Sequence, residues 1–125
     1  MASPIDQDFF ARLRALNDKF AASIPDTLAR MRQQRSAFNP AAPNDDTIKA
    51  LRETLHTIAG SAATFGFRLF GQKARELEQR LRVLTSFAQV PAADWQRWLD
   101  DLDTYIAWAE NNPRADDAAA GTACQ

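Results

Sequence analysis

The chain has 125 residues, 46% hydrophobic and 25% charged, a composition that suits one globular domain and excludes a disordered one. Fifteen Lys and Arg against sixteen Asp and Glu leave a formal charge of −1, which argues against a partner bound through nucleic-acid phosphates. A single histidine, His56, and a single cysteine, Cys124, exclude an internal disulfide, a cysteine-based zinc site and a multi-histidine metal site. The first residues lack the basic and apolar regions of a signal peptide and no apolar run reaches bilayer length, so a cytoplasmic chain without membrane contact is expected.

The N-terminal third carries Phe9, Phe10, Leu13, Leu16, Phe20, Ile24, Leu28 and Met31 at helical spacing. Pro25 interrupts this series, which predicts two helical pieces or one kinked helix. Residues from Phe38 to Pro43 read as a loop, and Asn44-Asp45-Asp46 supplies cap chemistry for the next helix. That helix carries Ile48, Leu51, Leu55, Ile58, Ala62 and Phe65, in alternating steps of three and four. Gly66 can adopt the left-handed conformation of a tight turn. A second stripe follows it: Phe67, Phe70, Ala74, Leu77, Leu81, Leu84 and Ala88. Pro91 suits the first turn of a last helix, whose stripe is Trp95, Trp98, Leu99, Leu102, Ile106 and Ala109, and Pro113 ends it. Nothing alternates with period two. The chain reads as all-α, with a helical bundle over residues 1–113 and a small, polar, disordered tail over 114–125.

On a helical wheel the Ile48–Phe65 stripe fixes the buried direction, and His56 falls outside it with Lys49, Arg52, Glu53, Gly60 and Ala63. Gly60 lies one turn beyond His56, where glycine costs about 1 kcal/mol relative to alanine in an exposed helix interior. With Ser61, Ala62 and Ala63 it leaves a bare strip of helix beside the imidazole, open to another protein's surface. The ordinary reading is a lone solvated histidine. Glu53-x-x-His56 has the spacing of a di-metal bundle site, but a second such motif is absent. No nucleophile elbow accompanies a Ser-His-Asp set, and Gly60 to Gly66 is no phosphate-binding loop.

The run Leu55-His56-Thr57-Ile58-Ala59-Gly60-Ser61-Ala62-Ala63-Thr64-Phe65-Gly66 closely resembles the phosphoacceptor segment of histidine-containing phosphotransfer (HPt) domains. Their pattern is His, any residue, an aliphatic, often Lys, then Gly-Ser/Ala-small, with a second Gly ten residues after the His. Ala74-Arg75-Glu76-Leu77-Glu78 is similar to the family's continuation on the next helix, and Ile24-Pro25-Asp26-Thr27-Leu28 resembles the start of an earlier bundle helix. The likeness spans about residues 5 to 110.

The resemblance implies an antiparallel four-helix bundle with an additional short N-terminal helix, without catalytic machinery or a cofactor of its own; a monomer is expected, though the sequence leaves the oligomeric state open. It implies His56 as the phosphoacceptor of a two-component phosphorelay. The implied partners are a sensor histidine kinase and the receiver domain of a response regulator, which brings the acceptor Asp and Mg²⁺. A neutral imidazole, with an ordinary pKa near 6.5, is nucleophilic at cytosolic pH. The surroundings implied for it are Lys49, Arg52, Ala59, Gly60, Ser61, Ala63, Glu78 and Arg82. Ala59 stands where the family commonly has Lys, so Lys49, Arg52 or Arg82 is expected to neutralise phosphoryl charge, with Arg52 and Arg82 preferred. The interleaved Arg75, Glu76, Arg80 and Arg82 otherwise read as a solvated face. Two other functions stay open. One is an HPt-like module that docks on a kinase or receiver without carrying phosphate, and the other is a metal or redox bundle.

Overall fold

Asn44 begins the central helix as its sequence suggests: its side-chain oxygen accepts from the backbone N–H of Asp46 at 2.7 Å and of Thr47 at 3.3 Å. The computed structural model describes residues 4–111 and Pro113, so the tail expected over 114–125 lies outside the described residues. Four α-helices follow one another: α1 (Pro4–Ser36), α2 (Asp45–Ser61), α3 (Arg68–Thr85) and α4 (Ala92–Asn111). A 3-10 turn, Ala62–Phe65, leads out of α2 and ends on Gly66, whose φ of 89° is the left-handed geometry that favours glycine there. No strand occurs among the described residues, and no described helix is long and apolar enough to cross a membrane.

Short connections make consecutive helices antiparallel, and α4 closes the ring by packing on α1. Leu28, Met31, Leu51, Leu55, Phe70, Leu81, Leu99, Leu102 and Ile106 are almost wholly buried between the four helices. Two aromatic side chains peg α4 to α3. Trp98 donates from Nε1 to the Leu77 carbonyl at 3.0 Å, and Tyr105 donates its hydroxyl to the Phe70 carbonyl at 2.9 Å. Burial pushes the Tyr105 phenol well above its usual value, so it stays a donor. At the Gly66 end, Phe20 stacks on Phe65 at 5.2 Å and packs on Phe67 at 5.4 Å, closing the core.

The N-terminal third departs from expectation. There is no short extra helix among the described residues: of the two arrangements expected around Pro25, the chain takes the single-helix one, α1 being one helix of 33 residues with Pro25 inside it. Pro25 is exposed, so solvent can serve the carbonyl one turn earlier that loses its N–H partner. At 1.5 Å per residue α1 measures about 50 Å against about 26 Å for α2. Its first turns therefore run past the bundle. No residue from Asp6 to Lys19 is buried, although Phe9, Phe10, Leu13 and Leu16 continue the apolar series. A smaller difference concerns Ala88, which lies beyond the end of α3 and is exposed.

Candidate functional site

The Leu51–Leu55–Ile58 face of α2 turns inward, and this sets His56 on the flank of the helix that looks toward α3. Its side chain keeps 67% of its exposure, yet it is not loose. Nδ1 lies 2.6 Å from Oε2 of Glu78, on the antiparallel neighbour α3. Glu78 is one of two buried polar or charged residues among those described, with a side chain only 8% exposed. Arg82, one turn further along α3, holds Nη2 3.6 Å from the same carboxylate oxygen.

This geometry selects a tautomer. A carboxylate can only accept, so Nδ1 carries the hydrogen and donates it to Glu78. Nε2 then presents its lone pair on the side of the ring away from α3. The imidazole is thus oriented by a buried anion while its second nitrogen remains open. A shallow cleft surrounds it, lined by Arg52, Glu53, Thr57, Glu78 and Arg82.

Of the surroundings inferred from sequence, Arg52, Glu78 and Arg82 converge on His56. Gly60 and Ala63 are exposed on the following turns, and a Cβ built on Gly60 would meet nothing within 4 Å. Three residues lie elsewhere. Lys49 is exposed two turns before His56 and does not line the cleft. Ser61 faces the groove between α1 and α2, beside Phe20 and Phe65. Ala59 is buried against α3 rather than displayed to a partner.

Arg75 covers that buried alanine. Its Nη2 donates to the Ala59 carbonyl at 3.3 Å, and with Ala59, Ala63, Gly71 and Gln72 it borders a recess one turn from His56. Sequence reading left Arg75 on a solvated face and passed over Thr57 as a liner of the cleft. The signal was the spacing Arg75-x-x-Glu78. If Glu78 faces His56, the residue three before it must face the next turn of an antiparallel α2. Gly71 allows that close approach of the helices, because a Cβ there would stand 3.0 Å from the Cβ of Ala62.

Comparison with known proteins supplies one match. A family model described as the Hpt domain matches residues 15–112, which span most of α1 and all of α2, α3 and α4. No curated protein and no solved structure matches the chain.

Proposed function

The chain belongs to the Hpt domain family, and from that membership we propose that it relays phosphoryl groups through His56. Hpt domains are phosphocarrier modules of phosphorelays, and they work with kinases and receiver domains. The reading specific to this chain is that Nε2 of His56 exchanges a phosphoryl group with the aspartate of a response-regulator receiver. The observation that carries it is the pairing of an exposed imidazole with a buried Glu78 at its Nδ1.

In the forward step Nε2 attacks phosphorus in line with the aspartyl oxygen. The P–N bond forms as the P–O bond breaks, and the electron pair of the broken bond leaves on the aspartate. Nδ1 keeps its hydrogen, so the phosphorylated ring is cationic and the Glu78 carboxylate faces that positive charge. Return of the group to an aspartate reverses each bond change. Such transfer depends chiefly on alignment and neutralisation of charge. Arg52 and Arg82 supply cations beside the ring, and Arg75 supplies one at the position next to Ala59. The receiver is the partner expected to hold Mg²⁺, which neutralises phosphoryl oxygens when bound there. This chain contributes the nucleophile, its orientation and clearance along Gly60. It acts as a carrier rather than an autonomous enzyme, in the cytoplasm where kinases and receivers meet.

The test is incubation with a phosphorylated receiver, or with phosphoramidate. The expected product is acid-labile, alkali-stable phosphate on the chain that is lost in His56→Gln. Ala59 in place of the family's usual Lys motivates the second reading, a module that docks without carrying phosphate. Folded protein that binds a receiver and never becomes labelled would establish that reading and overturn the first.

A further inference from the structure

We propose that Arg75 binds the phosphoryl group carried on Nε2 of His56, and that it leaves the Ala59 carbonyl to do so. This role rests on the relay reading above. It names which cation takes the place of the lysine missing at position 59, and what moves when the site is loaded.

The cations of α3 are not equivalent. Arg82 is drawn to Oε2 of Glu78 at 3.6 Å, so its charge is balanced before any phosphoryl group arrives. Toward α4, Arg80 pairs with Asp101 at 2.7 Å, and Lys73 lies over the Trp108 ring at 5.3 Å. Arg75 differs from all three. It is exposed, and its Nη2 is held by an uncharged acceptor, the Ala59 carbonyl, at 3.3 Å. That is long for an N–H···O bond, and a phosphoryl dianion is a far stronger acceptor for a guanidinium than an amide carbonyl. The exchange of one for the other is downhill.

The resting position has its own cause. The last turn of α2 contains no basic residue, so Arg75 supplies from α3 the positive charge that the carbonyl end of a helix favours. Ala59, buried beneath it, completes the arrangement. A lysine at 59 would set an ammonium against the guanidinium, so alanine here and arginine at 75 form a complementary pair in which the cation has passed from α2 to α3. The recess that Arg75 borders holds about 220 Å³, several times the volume of a water molecule. Water there can serve the Ala59 carbonyl once the guanidinium has swung toward His56. Gly60 adds no side chain to obstruct that movement. Only hydrogen bonds are exchanged, and the covalent changes remain those of the transfer itself.

The half-life of phosphohistidine tests this role. Loss of the group to water passes through a loose transition state in which charge is spread over the phosphoryl oxygens as they part from nitrogen. A guanidinium bound to those oxygens in the loaded state slows that loss. The chain is labelled with phosphoramidate, the donor is removed, and the remaining label is followed at neutral pH. Arg75→Gln is expected to shorten the half-life roughly fivefold, the upper range for one exposed ion pair, whereas Arg75→Lys keeps most of it. Adding Ala59→Lys to Arg75→Gln returns the half-life toward the parent value, because a cation is again rooted beside the ring. Labelling of the parent is also expected to shift the ¹⁵Nε resonance of Arg75. A half-life unchanged in Arg75→Gln overturns the proposal and leaves the relay standing, as does a loss that neither lysine restores. A loss that tracks a fall in the urea midpoint across these variants also overturns it, and makes Arg75 a brace for the end of α2. A parent chain that phosphoramidate never labels at His56 overturns the relay, and the role of Arg75 with it.

Discussion

Glu78 is the residue on which the orientation of the imidazole turns. Its carboxylate is buried, while both groups it touches, His56 and Arg82, keep most of their exposure. Removing it therefore strands no buried partner, since water can reach Nδ1 and the guanidinium once the carboxylate has gone. Glu78→Ala is expected to change the denaturation midpoint little. Its effect falls on the ring, which loses a charge-assisted hydrogen bond worth about 1.5–3 kcal/mol. If about half of that bond acts in aligning Nε2, phosphoryl transfer slows roughly tenfold. The ¹⁵N shifts of His56 should then report a larger fraction of the tautomer with hydrogen on Nε2. Unchanged shifts and an unchanged rate would separate Glu78 from the reaction. Reading outward from the sequence, His56 was legible because it is the single histidine and falls off the buried stripe. Its partner was not legible from spacing. The two residues are 22 apart across a turn, and which residues of α3 meet which of α2 depends on how far Gly66 and the 3-10 turn carry the chain before α3 begins.

At the scale of an element, α2 and α3 contain two glycines that look alike in sequence and differ in what surrounds them. Gly60 sits in the last full turn of α2, with open space where its Cβ would be. Gly60→Ala is expected to raise stability by about 0.4–1 kcal/mol, the gain from restricting the unfolded chain and improving helix propensity. Gly71 touches Ala62 across the helix interface, and the opposing atom is a buried Cβ that cannot rotate away. Gly71→Ala is expected to lower stability by about 1 kcal/mol, overpacking outweighing the same propensity gain. Urea midpoints of the two variants should move in opposite directions; a shared sign would refute the packing account. Neither fold nor stability asks for a glycine at 60. If Gly60→Ala stabilises the domain and also slows transfer from a receiver, the glycine serves an approaching surface. The apolar stripes of α2, α3 and α4 were legible because each is a whole face of a helix covered along its length. The start of α1 was not, because its periodicity says which side is apolar and says nothing about where neighbouring helices stop.

For the whole molecule, the closing contact is α4 on α1, and the expected bundle topology leaves open what holds that last seam. The structure places two ion pairs along it. Arg35 donates from Nε to Asp103 at 3.1 Å, and Arg32 grips Glu110 with both arms of its guanidinium, Nε to Oε2 at 2.8 Å. These pairs were invisible as such in the sequence, since they join residues 68 and 78 positions apart. The hydrogen bond from Arg32 holds the Glu110 carboxyl below the usual glutamate range, and the same bond pushes Arg32 up. Only Glu110 titrates in an accessible range. Its folded value is depressed, so its contribution to stability is complete above the unfolded value, about 4.3, and disappears as pH falls through the folded one. Both side chains are substantially exposed, which keeps the contribution small and salt-sensitive. The expected result is a urea midpoint for the parent chain above that of Glu110→Gln at neutral pH. That gap should be constant down to about pH 5, narrow below about 4 and close once the carboxyl is protonated. Added salt should narrow the gap at pH 7 as well. A gap that persisted undiminished at pH 2.5 would show that Glu110 acts through packing of its methylenes on α1, with the seam closed by apolar contact alone.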